Sequence, residues 1–100
     1  MKRLPVPAPA ISDPHAQEML TAFIADKRLQ CSFNVGQWGP GQGAEKAWGV
    51  LLADVAQHIA RALRHAHKVD QQQALDALVA SFNAELRAPT ADHGGDFVES

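Results

Sequence analysis

An α+β fold is predicted by three observations: a two-residue alternation over 29–35, a glycine-rich break, and a long amphipathic helix after it. In Leu29-Gln30-Cys31-Ser32-Phe33-Asn34-Val35 the apolar residues point one way and the polar ones the other, which is the pattern of a half-buried strand. Gly36, Gly39, Gly41 and Gly43 punctuate the break that follows. From Ala44 the period becomes helical, with Trp48, Leu51, Leu52, Val55, Ile59, Ala62, Leu63 and Ala66 on one broad face. The predicted order is helix, strand, long helix, helix.

The chain opens Met1-Lys2-Arg3-Leu4-Pro5-Val6-Pro7-Ala8-Pro9-Ala10, and its prolines favour an extended arm over residues 1–11. They also speak against a helical signal segment. The folded core is expected over 12–89. Ser12-Asp13-Pro14 reads as a helix start with Asp13 as N-cap, and Ala16, Met19, Leu20, Phe23 and Ile24 supply a three- and four-residue stripe. The strand from Leu29 then needs a partner, because a lone strand leaves its backbone groups unpaired. The chain offers Leu4-Pro5-Val6, a return near Trp38, or Phe97-Val98, and each is short. The expectation is therefore that the small sheet is completed by the N-terminal arm or a second subunit, with the leading reading a sheet continued across a homodimer.

The long helix carries a third strip of small residues, Gly49, Ala53, Ala56 and Ala60, four and three apart. Such a strip lets another helix backbone approach closely and is a candidate interface. Alanine is also simply the best helix former, but Gly49 costs a helix interior about 1 kcal/mol and propensity does not explain it. Asp70 opens the last helix with Gln73 three residues on. Leu75, Leu78, Val79, Phe82 and Leu86 form its stripe, and Pro89 ends it. Residues 90–100, with Gly94-Gly95, read as a mobile tail.

Composition bounds the function more than it specifies it. One hundred residues make a single domain, and 46% hydrophobic content with 20% charged fits a folded chain. Much of the apolar fraction is alanine, which buries little area, so an oligomer would make up the shortfall. Nine Lys and Arg against eleven Asp and Glu give a charge of −2, which provides no general attraction to nucleic acid. The local cluster of Arg61, Arg64, His65, His67 and Lys68 sits where a helix C-terminus favours cations. One cysteine excludes an intrachain disulfide and fits a reducing, cytoplasmic compartment. No stretch reaches the roughly 20 apolar residues of a membrane span.

Candidate chemistry is sparse. Cys31 falls on the inward side of its strand and reads as a small hydrophobe. Asp54 and His58 lie one helical turn apart and could point together at a ligand, or merely steady each other. A metal site would need a third ligand, and neither a His-Glu-x-x-His run nor a cysteine pair is present, so no metal and no cofactor is expected. The glycines before the helix lack the Gly-Lys-Ser/Thr of a phosphate loop. Trp38, set among them, must pack on something or contribute to a binding surface.

The run Ala47-Trp48-Gly49-Val50-Leu51-Leu52-Ala53-Asp54, then His58-Ile59-Ala60, resembles a family of small bacterial proteins known only as a domain of unknown function. Cys31-Ser32 before it and Phe82-Asn83-Ala84-Glu85-Leu86 with Pro89-Thr90 after it are similar too. The resemblance spans nearly the whole chain and implies no catalytic residue, substrate or partner. The leading expectation is a non-enzymatic cytoplasmic interaction or regulatory module, acting as a homodimer with an unidentified protein partner possible. The rival is a small-ligand or metal-binding protein, a reading that includes an enzyme, centred on Trp38, Asp54 and His58.

Overall fold

The computed structural model describes residues 1–40, 43–89 and 97–99. Its elements run α1 (Ala8–Ser12), β1 (Leu20–Ala25), β2 (Arg28–Phe33), α2 (Ala44–His67), α3 (Gln71–Arg87) and β3 (Phe97–Glu99). The fold is α+β. The chain forms two compact units, one of Met1–Gln37 with Gly95–Ser100 and one of Trp38–Gly94.

In the first unit the expected arm becomes helical earlier than its prolines suggest. Pro7 is the N-cap of α1 and Pro9 lies in its first turn, where a missing N–H costs no hydrogen bond. The helix expected to begin at Asp13 is absent: α1 ends there instead. The Asp13 carboxylate accepts the His15 backbone N–H at 2.8 Å, an Asx turn in place of a helix cap.

The stripe from Ala16 to Ile24 belongs to a strand, which corrects the helix predicted over it. Leu20-Thr21-Ala22-Phe23-Ile24 is a short apolar run rich in β-formers, and periodicity cannot separate helix from strand at that length. Tertiary pairing decides. Asp26 and Lys27 take φ of 55° and 62°, the double positive φ that a two-residue type I′ hairpin turn requires. That turn folds β1 back on β2, pairing Ala25 with Arg28 through Leu20 with Phe33. Beyond the strands, the Asn34 N–H donates to the Met19 carbonyl at 3.0 Å. The Asn34 side-chain amide reaches Gln17 at 3.1 Å.

β2 was expected at 29–35 and runs from Arg28 to Phe33. It is the central strand, with β1 antiparallel on one side and β3 parallel on the other. Both of its edges are therefore occupied within the chain, and no arm or second subunit is needed to pair it. Of the candidate partners in the sequence, Phe97-Val98 is the one found. The register puts Leu20, Ala22, Ile24, Leu29, Cys31 and Phe33 on one face, all apolar. The tail expected to be mobile lies outside the described residues, apart from β3.

The second unit is a helical hairpin. Gly43, at φ 97°, takes a left-handed conformation that side chains rarely adopt, and from it the chain enters α2. α2 closes at Lys68, whose N–H donates to the Arg64 carbonyl at 3.0 Å. Arg64, His65 and His67 occupy its last turn, where the helix dipole favours positive charge. Asp70 caps α3 as expected, its carboxylate accepting the Gln73 N–H at 2.9 Å. The two helices pack together. Their contact half-buries Ala56 and Leu63 on α2 and Ala74, Leu75 and Leu78 on α3. Ala60, 1% exposed, is the one fully buried residue among those described.

Candidate functional site

The side of α2 that carries Asp54 and His58 is hollowed into an open groove of about 890 Å³, and Trp38, Asp54 and His58 all line it. Trp38 arrives through the turn before Gly39. Its ring meets Trp48 edge to face, with centroids 5.3 Å apart at 84°. That geometry lets the positive ring edge lie on the negative face of its neighbour. Trp38 remains 39% exposed, so the packing leaves part of the indole facing the groove.

Val50, Leu51, Val55 and Ile59 make the groove floor largely apolar. Val50 is 57% exposed and Ile59 43%, which is high for side chains that gain about 1.5–3 kcal/mol from full burial. Asp54 and His58 sit between them. Neither forms a hydrogen bond or ion pair within the described residues, so each retains its capacity for a partner. The steadying Asp–His pair, the alternative drawn from their spacing, is not formed. No cluster of three His, Cys, Asp or Glu that could hold a metal occurs among the described residues. No described helix is long and apolar enough to cross a membrane.

The strip of small residues divides. Ala60 is buried and Ala56 half-buried, while Gly49 and Ala53 are exposed. A Cβ built on Gly49 meets nothing within 4 Å. Cys31 is half-buried on the apolar sheet face. Residues 41 and 42 of the glycine-rich break lie outside the described residues.

Two features were missed from sequence. Val50 lines the groove although it lies off the main apolar face. A helical wheel places it beside Asp54, an apolar residue on the polar side, and that was the available signal. The other is a hollow of about 730 Å³ in the first unit, between the N-terminal residues and β1. There the Arg3 guanidinium stands 5.4 Å from the Phe23 ring centroid, a cation–π distance. The Thr21 hydroxyl oxygen is buried without a hydrogen-bond partner. No sequence pattern brings Arg3 and Phe23 together, because their approach depends on the path of the opening residues.

Comparison with known proteins adds three findings. No curated protein matches the chain. A solved structure from Rhodopseudomonas palustrus CGA009, described as a "putative pyruvate dehydrogenase", is similar at 32% identity and a TM-score of 0.64. The similarity covers 92% of this chain and 90% of that one. The model of one family, described as a domain of unknown function (DUF5076), matches residues 3–90, and the chain belongs to that family.

Proposed function

We propose that this chain is a cytoplasmic, non-enzymatic interaction or regulatory module that acts as a homodimer. The observation carrying the reading is surface. On the helical hairpin Val50, Leu52, Ile59, Phe82 and Leu86 are each more than 40% exposed. A protein that leaves such side chains in water gains by covering them.

Gel filtration coupled to light scattering tests the dimer. At micromolar concentration the mass is expected at twice the chain mass of 10.8 kDa. A monomer there ends the homodimer reading, because an association that weak is not a working assembly.

A second reading is favoured by one observation: Trp38, Asp54 and His58 line the same groove, and both polar groups are unpaired. A small ligand with a donor, an acceptor and an apolar body would suit it. Elemental analysis of untagged protein after dialysis addresses the metal form of this reading. The expected result is no stoichiometric metal, with His58→Ala changing stability by less than about 0.5 kcal/mol as exposed substitutions do. One metal per chain, lost in both His58→Ala and Asp54→Ala, would promote the ligand site over the interaction module.

A further inference from the structure

We infer that the homodimer forms through the free edge of β1, which pairs antiparallel with β1 of a second copy and joins the two sheets into one. This rests on the homodimer reading above and joins the copies through the first unit. The β1–β2 register fixes which backbone groups are free. Ala25 faces Arg28 across the two-residue turn, and beyond the strands the Asn34 N–H donates to the Met19 carbonyl. Bonding toward β2 alternates between those ends, so Met19, Thr21, Phe23 and Ala25 face inward. Leu20, Ala22 and Ile24 therefore turn their N–H and C=O groups to the outer edge. β1 is the end strand of the sheet, and among the described residues no backbone hydrogen bond reaches those three from outside.

The edge is built without the features that keep strands apart. Leu20-Thr21-Ala22-Phe23-Ile24-Ala25 contains no charge, no proline and no glycine, and its pairing with β2 runs through without a bulge. Lysines, prolines and bulges are the usual protection of an edge against pairing. The opening residues do not pair with it instead. A hollow of about 730 Å³ separates them from β1. Leu20 and Ala22 line it from one face of the strand, Thr21 and Phe23 from the other, so the hollow follows the edge. Pro5 and Pro7 have no N–H to give, and Arg3 approaches by its side chain, over the Phe23 ring.

Self-complementarity selects a second copy over an unrelated strand. A two-fold axis at Ala22 sets Ala22 against Ala22 of the second copy, and Leu20 against Ile24. All three outward residues of each copy then fall in hydrogen-bonded pairs. On the other face Thr21 meets Phe23 of the second copy, and the axis makes that pair twice. β-Branched residues opposite aromatic rings are favourable cross-strand pairs. Moving the axis to Thr21 or Phe23 would leave Ile24 or Leu20 without a partner in β1, so the strand has one best register with itself. The register also brings Glu18 near Asp26 of the second copy. Both are exposed and lie beyond the strand ends, where the high dielectric of water weakens their repulsion.

Sedimentation velocity and cysteine cross-linking on the full chain test this. The wild type is expected to be a dimer. Ala22→Pro removes an N–H that no bond within the chain uses, so circular dichroism should stay unchanged while the dimer Kd rises about tenfold or more. In a Cys31→Ser background, Ala22→Cys should give a covalent dimer under mild oxidation. A hydrogen-bonded antiparallel pair stands about 5.5 Å apart at Cα, within disulfide reach. Leu20→Cys in the same background is the control, since its two copies would lie four residues apart along the ladder, roughly 14 Å, and should stay unlinked. Should Ala22→Pro disturb folding, cross-linking decides alone. A wild-type dimer whose Kd is unmoved by a folded Ala22→Pro, or in which Ala22→Cys links no faster than Leu20→Cys, overturns the β1 edge and leaves the homodimer standing. A wild-type monomer overturns both.

Discussion

Ala60→Leu should destabilise the α2–α3 hairpin by roughly 1–3 kcal/mol, read as a lower urea midpoint in far-ultraviolet circular dichroism. Ala60 is 1% exposed on the helix that packs against α3, so three added carbons must push the two backbones apart. A well-packed contact does not absorb that volume without strained rotamers or a shift of the helix. Gly49→Ala provides the opposite sign from the same strip. The position is mid-helix and a Cβ there meets nothing within 4 Å, so the substitution should stabilise by about 0.5–1 kcal/mol through reduced unfolded-state entropy. Equal and small effects at both positions would mean that the helices do not cross at Ala60.

The contrast between these two residues shows how far the sequence was legible. The small strip was visible as a pattern, and so were both long helices, because a face repeated over five or six turns outweighs local ambiguity. Which members of the strip meet another helix was not visible. That depends on the direction in which α3 returns from Lys68-Val69-Asp70, and the left-handed Lys68 that sets it is a lysine rather than the glycine that would have announced it.

The same cause hid β1. Asp26 and Lys27 make a type I′ turn with neither residue a glycine, so the strongest hairpin signal was missing. Without the turn, Leu20 to Ile24 had no partner, and its spacing fitted a helix. Once that strand was misassigned, β2 lacked a neighbour inside the chain and a second subunit was the natural candidate to supply one. For the groove, Trp38, Asp54 and His58 were each marked by chemistry. Their position along one hollow follows from the turn at Gly39 and the entry to α2 at Gly43, which no periodicity encodes.

Asp70→Ala is expected to cost about 1 kcal/mol, within a range of roughly 0.5–2 for a lost N-cap. The connection between α2 and α3 is three residues long, and Asp70 holds extended backbone dihedrals while its carbonyl already accepts the Ala74 N–H at 2.9 Å. Its carboxylate takes the Gln73 N–H, one of four N–H groups that the first turn of a helix cannot satisfy. Negative charge at this end also complements the helix dipole. Removing the side chain returns Gln73 to water and loosens the point at which the chain reverses, and the hairpin depends on that reversal because a lone helix of α3's length is marginal. Asp70→Asn keeps the acceptor and discards the charge, so it should recover most of the loss and isolate the hydrogen bond from the dipole. If Asn is as damaging as Ala, the charge and not the cap fixes the start of α3. Thermal unfolding of the three proteins at low and high salt separates the two, since only the dipole contribution fades with ionic strength.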